Sequence, residues 1–130
     1  MAKSILIADD NERIRRLLKH FFKSHPIGFD VYEAHDGFEA VEKVTDIKPD
    51  LIVLDLSMPR LNGLGAARKL REMKIRAPII LFTMYAAEVP AMEISSTGIT
   101  AVVLKPDLTA LHQQVEFLLN QESPSLDSPR

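Results

Sequence analysis

The stretch Leu51-Ile52-Val53-Leu54-Asp55-Leu56-Ser57-Met58-Pro59-Arg60-Leu61-Asn62-Gly63 decides how this chain is read. Four consecutive apolar residues suit a strand buried on both faces, and the Pro, Asn and Gly that follow suit a turn. Asp55 therefore stands at a strand's C-terminal edge, where open α/β sheets carry their chemistry. Three other short apolar runs also end on polar groups. Ile5-Leu6-Ile7-Ala8 ends in Asp9-Asp10, Ile79-Ile80-Leu81-Phe82 in Thr83, and Ala101-Val102-Val103-Leu104 in Lys105-Pro106.

Between these runs the apolar period changes from strand-like to helical. Ile14, Leu17, Leu18, Phe21 and Phe22 recur at helical spacing among Arg13, Arg15, Arg16, Lys19 and Lys23, which predicts an amphipathic helix ended by Pro26 and Gly28. Residues 29–34 mix apolar with charged side chains, as a half-exposed edge strand would. Asp36 and Glu39 have the spacing of a helix cap and its box partner, with Phe38, Val41 and Val44 expected inward and Pro49 as the stop. A third helix is expected over Leu64, Ala67, Leu70 and Met73. The fourth, from about residue 86, is weakly encoded: Pro90 lies near its start and Ser95-Ser96-Thr97-Gly98 form helix poorly, so it should be short or mobile. Asp107 suits the N-cap of a last helix with Leu108, Leu111, Val115 and Leu118 inward.

A chain of 130 residues fits one domain with a sizeable core, and 46% apolar content excludes disorder over most of it. No apolar run approaches the roughly 20 residues of a membrane span, and Met1-Ala2-Lys3-Ser4 lacks a signal-peptide layout, so a cytoplasmic location is expected. With no cysteine, disulfide, thiolate and zinc-finger chemistry drop out. Fourteen of the sixteen Lys and Arg lie at or before Arg76; beyond it only Lys105 and Arg130 are basic. That acidic, apolar C-terminal part offers nothing to a nucleic-acid backbone. The Ser- and Pro-containing residues 122–130 suit a disordered tail or the start of a linker, leaving residues 1–121 as the domain.

Five strands alternating with five helices imply a parallel sheet covered on both faces. The four polar strand endings, in this order, resemble the receiver domain of two-component response regulators over residues 3–121, and Met58-Pro59 and Gly63 match that family's turn after the acceptor. The resemblance implies a flavodoxin-like doubly wound sheet in the order 2-1-3-4-5. It further implies that Asp55 is the phosphoacceptor, taking a phosphoryl group from a histidine kinase or phosphotransfer protein. With strands 1, 3, 4 and 5 side by side, Asp9, Asp10 and Asp55 converge and repel, so one should have a raised pKa unless a cation neutralises them. Mg²⁺ suits such oxygen donors. The family pattern assigns it Asp10 and Asp55 directly, Asp9 directly or through water, and the Ser57 main-chain carbonyl. Lys105 and Thr83 would serve the phosphoryl oxygens, and the peptide before Pro106 would be cis. Such a domain modifies itself and is not an enzyme acting on a separate metabolite.

Two positions depart from the family pattern. Val102 stands where receivers commonly carry the aromatic ring that reads out activation, leaving Tyr85 as the nearest aromatic. With Ser57, Tyr85 would border the active-site access. The region of helix 4, strand 5 and helix 5 also lacks the bases of one common receiver dimer, which leaves a monomer or a weak homodimer, with the apolar parts of helices 1 and 5 as an alternative contact. The cationic first helix suits either solvent or a docking kinase, and His20, His25, His35 and His112 lie on separate elements and receive no role. Two other functions compete: an interaction-only pseudo-receiver, and a phosphohydrolase of similar topology. The second needs a carboxylate two residues after Asp55, where Ser57 stands.

Overall fold

Short apolar runs alternating with amphipathic stretches build five strands and five α-helices within residues 3–122, which the computed structural model describes. Strands β1 (Ser4–Ala8), β2 (Asp30–Ala34), β3 (Leu51–Leu54), β4 (Ile79–Thr83) and β5 (Ala101–Leu104) are all parallel, in the order 2-1-3-4-5. They are connected by α1 (Glu12–Lys23), α2 (Gly37–Ile47), α3 (Gly63–Glu72) and α4 (Ala91–Thr97), and α5 (Leu108–Glu122) follows β5. α5 runs one residue into the segment expected to be tail. The rest of that expectation concerns residues 123–130, outside the described ones. No helix among the described residues is long and apolar enough to cross a membrane.

Strand alternation divides the core in two. Leu6, Ala8, Ile52, Leu54, Ile79 and Leu81 point to the face covered by α2, α3 and α4, where they meet Ala40, Val44, Ala67 and Leu70. Their neighbours Ile5, Ile7, Leu51, Val53, Ile80 and Phe82 point to the other face and meet Leu18 and Phe22 of α1 and Leu111, Val115 and Leu118 of α5. Both faces being covered explains why the three central strands are apolar on both faces, with polar residues only at an end, Ser4 in β1 and Thr83 in β4. The edge strand β2 alternates instead, leaving Asp30, Tyr32 and Glu33 wholly or partly exposed.

Three side chains expected inward are exposed, each for a local reason. Gly37 holds the inward position at the start of α2, so close that a Cβ there would lie 2.0 Å from the Leu61 carbonyl oxygen. Ala40 and Val44 continue that row, and Phe38, about 100° further round, is 50% exposed. Leu17 stands one residue off the buried Leu18–Phe22 row of α1. Met73 follows the last helical residue of α3 and leaves the helical period just before Lys74, whose φ is 67°. The box partner Glu39 also differs: Asp36 accepts from Glu39 N–H at 2.8 Å as a cap should, but Glu39 Oε1 accepts from His35 N–H at 2.7 Å rather than from Asp36. The weakly encoded fourth helix is short, seven residues that begin after Pro90 and follow a separate 3-10 turn at Ala86–Glu88.

Candidate active site

Sheet register brings the functional side chains together. Ala8 pairs with Leu54, so the next residues, Asp9 and Asp55, leave adjacent strands side by side at the C-terminal rim. Carboxylate oxygens of Asp9, Asp10 and Asp55 all lie within 4.8 Å of one another, the first and last buried and Asp10 exposed. Asp107 caps α5 through Ala110 N–H, and the Lys105–Pro106 peptide just before it is cis. From this turn the Lys105 side chain runs inward, placing Nζ 2.5 Å from Asp9 Oδ2 and 3.4 Å from Asp55 Oδ1. Lys105 thus sits mainly on Asp9, not on Asp55.

Burial pushes the Asp55 carboxyl above its usual pKa, and the Asp9 charge adds to the rise; Lys105 and the Ser57 N–H oppose it. Three converging acids and one ammonium leave a net charge that further positive charge would relieve. All the acceptors are hard oxygens, so the donor set fits a small divalent cation such as Mg²⁺.

Neighbouring elements hold this cluster in place. Asp9 Oδ1 accepts the Asn11 N–H at 2.9 Å, and Asn11 itself caps α1 by accepting from Arg13 and Ile14 N–H. Arg15 donates to the Asp9 main-chain oxygen at 2.7 Å and pairs with Glu33 at 3.2 Å. One cation of the first helix therefore braces the acidic loop instead of facing solvent, a role that required knowing that β2 lies beside β1. Gly63 opens α3 where a Cβ would lie 2.3 Å from the Asp55 carbonyl oxygen, so the turn after Asp55 depends on that glycine.

Thr83 is fully buried at the end of β4, and its hydroxyl accepts the Tyr85 N–H at 3.1 Å. Ser57 and Tyr85 line one cleft of about 460 Å³ beside Asp55, together with Met58 and Glu88. Glu88 was not foreseen; it belongs to the 3-10 turn that precedes α4. Val102 is partly buried against the core on the α2–α4 side.

The histidines do not all stand apart as the sequence suggested. His25 is buried, its ring centroid is 5.0 Å from that of His112, and both approach Glu116, at 2.9 and 3.7 Å. His25 Nε2 faces Glu116 without the alignment of a hydrogen bond. Its Nδ1 accepts the Ile27 N–H at 3.1 Å, so the neutral ring carries its proton on Nε2 and has no lone pair there for a metal. The trio ties the α1–β2 loop to α5.

Residues 5–116 match the family described as the response regulator receiver domain. The chain is 36% identical over 120 residues to the regulatory protein AtoC of Escherichia coli, covering 92% of this chain and 26% of that protein. It is 43% identical over 83 residues to the alkaline phosphatase synthesis transcriptional regulatory protein PhoP of Bacillus subtilis, covering 64% and 34%. With SrrA of Staphylococcus aureus at 43% coverage, the chain spans about a quarter to under half the length of these curated relatives. Among solved structures, the response regulator TrrA of Thermotoga maritima, in complex with Mg²⁺ and BeF, superposes with a TM-score of 0.80 at 32% identity, covering 89% of this chain and 98% of that one. The response regulator domain of Thermotoga maritima CheB gives 0.81 at 29% identity, covering 92% and 98%.

Proposed function

This chain belongs to the response regulator receiver domain family, whose function is phosphoacceptance, and from that premise we propose that Asp55 is its phosphoacceptor. The observation that carries the reading is the buried Asp55 carboxylate, with Asp9 and Asp10 within 4.8 Å and the Lys105 ammonium at 3.4 Å. Asp55 Oδ attacks the phosphorus of a phosphohistidine on a histidine kinase or phosphotransfer protein. The P–N bond breaks, its electron pair stays on the imidazole, which takes up a proton, and an aspartyl phosphate forms. Lys105 turns toward a phosphoryl oxygen as a point cation, and the Thr83 hydroxyl donates to another. Asp10 and Asp55 would hold Mg²⁺ directly, with Asp9 directly or through water and the Ser57 carbonyl completing the protein's share. The ion, once bound, neutralises the charge gathered between carboxylates and phosphoryl group.

Ser57 and Tyr85 border the approach to the acyl phosphate and limit the water that hydrolyses it. The domain, residues 1–121, works in the cytoplasm, turns over no separate metabolite, and signals to an effector protein by altered contacts. To test this, the intact protein and Asp55→Ala are incubated with Mg²⁺ and a small acyl phosphate and weighed by mass spectrometry. One acid-labile phosphoryl group on the wild type alone is expected. Equal labelling of both proteins overturns the assignment, and a wild type that stays unlabelled while still binding a kinase favours the pseudo-receiver.

A further inference from the structure

A groove of about 840 Å³ lies between α2 and α3, away from the acidic cluster. Its floor is apolar, formed by Val41, Leu61 and the half-exposed Phe38 ring, over which the Arg60 guanidinium stands at 4.9 Å. Its walls carry opposite charge. α2 contributes Glu39 and Glu42 and α3 contributes Arg68 and Lys69, with Glu72 as an acid at the far end of the α3 wall. Glu42, Arg68 and Lys69 are exposed and form no ion pair among the described residues. Glu39 is already paired with Lys43, so it is Glu42 on one wall and Arg68 and Lys69 on the other, left unpaired among the described residues, that make the surface complementary to itself.

We propose that a second copy of this chain occupies the groove, related by a two-fold axis running along it. An axis across the groove would set acid on acid. An axis along it lays each α2 on its partner's α3, so that both halves match in charge. The levels match too, because both helices descend from the same rim of the sheet. Glu42 and Arg68 are each the sixth residue of their helix, and Phe38 and Gly65 the second and third. Each Phe38 ring then meets the partner's α3 wall at the level of Gly65, where the Leu61 side chain fills the place a Cβ would take and extends the apolar floor. Helices of ten and eleven residues are about 15–16 Å long, so the shared face is small and the dimer falls at the weak end of specific association. A dissociation constant on the order of 100 μM is expected.

Sedimentation velocity across about 10 μM to 1 mM tests this on the wild type, on Glu42→Arg, on Arg68→Glu and on an equimolar mixture of the two variants. Both substitutions are on exposed helix surface, and circular dichroism checks that the fold is kept. Wild type should pass from monomer to dimer over that range. Each variant alone should weaken association at least about tenfold, since like charges then meet at both halves of the interface. The mixture should restore it, because each variant then offers its partner the opposite sign. A wild type that is monomeric throughout, variants that associate as wild type does, or a mixture that stays monomeric would each overturn the proposal.

Discussion

Replacing Lys105 by Met keeps the bulk of the side chain and removes the one ammonium that holds the buried carboxylates together. Nζ lies 2.5 Å from Asp9 and 3.4 Å from Asp55, with 8% of the Lys105 side chain exposed. At an effective dielectric of about 20, each attraction is on the order of 5 kcal/mol before offsets. The largest offset is the ammonium's own desolvation, which the Met variant escapes. Breaking such a buried pair costs about 3–5 kcal/mol net, and the exposed Asp10 side of the site suggests the lower end, about 3 kcal/mol near neutral pH without metal. The deficit must depend on pH in one direction. Burial and Asp9 already hold the Asp55 pKa above its unfolded value, and loss of the ammonium raises it further. A carboxyl raised in this way favours the fold most below its unfolded pKa, and the contribution fades as pH rises through the folded pKa. The deficit of Lys105→Met should therefore shrink on acidification, by at most about 1.4 kcal/mol per pH unit while the additional proton binds. Urea unfolding of both proteins in EDTA at about pH 5 and about pH 7.5 measures it. An equal deficit at both pH values, or one below about 1 kcal/mol at the higher pH, would refute the reasoning, since Lys105 could not then be neutralising buried charge.

Burial raises the Glu39 pKa, but the bonds from His35 and the charge of Lys43 outweigh it and bring the carboxyl from 4.5 to about 2. Its stabilisation is complete above 4.5 and lost as pH falls toward about 2, so Glu39→Gln should flatten the acid limb of a plot of Tm against pH. Arg71 donates to the Gly98, Ile75 and Ala77 carbonyls; Arg71→Met leaves them without that donor and should lose about 2–3 kcal/mol in urea unfolding. Tyr85→Ala, by opening the cleft shared with Ser57, should speed dephosphorylation about fivefold in a phosphate-release assay, a barrier change of about 1 kcal/mol. Beryllofluoride with Mg²⁺ should alter hydrogen exchange over residues 84–98 and leave residues 100–104 nearly unchanged, and the reverse pattern would count against α4 as the moving element.

The fold class and the approximate strand limits were legible because they rest on short apolar runs ending in polar residues, whereas the clustering of Asp9, Asp10, Asp55 and Lys105 was legible only through the strand order that the family resemblance implied. What stayed hidden depended on distance in sequence. The brace from Arg15 to Asp9 and Glu33 needs β2 beside β1, and the His25–His112–Glu116 contact needs α1 beside α5. Helical period alone put Phe38 in the core. Gly37 overrides it, since the inward position of that turn is taken by a backbone contact with Leu61 that leaves no room even for a methyl group. Lys105 was placed on the phosphoryl side of Asp55 by analogy with a modified state; in the unmodified protein its closest partner is Asp9, the better shielded of the two acids.

These contacts also suggest how a charge added at Asp55 could leave the site without an aromatic on β5. Val102 is partly buried, packed against the core, and has no ring to swing between surface and interior. The Thr83 hydroxyl, however, accepts the Tyr85 N–H, so any movement of that hydroxyl toward a phosphoryl oxygen pulls directly on the loop before α4. That loop holds a single 3-10 turn, and α4 begins at Pro90 with no side-chain cap, so little secondary structure resists displacement there. The other end of α4 is anchored, with the Gly98 carbonyl accepting two donors from Arg71 at 2.8 and 3.1 Å. A seven-residue helix without a side-chain cap at one end and pinned at the other should tilt about its pinned end, so a change passed on by Thr83 should reach Met92 and Glu93 before it reaches β5.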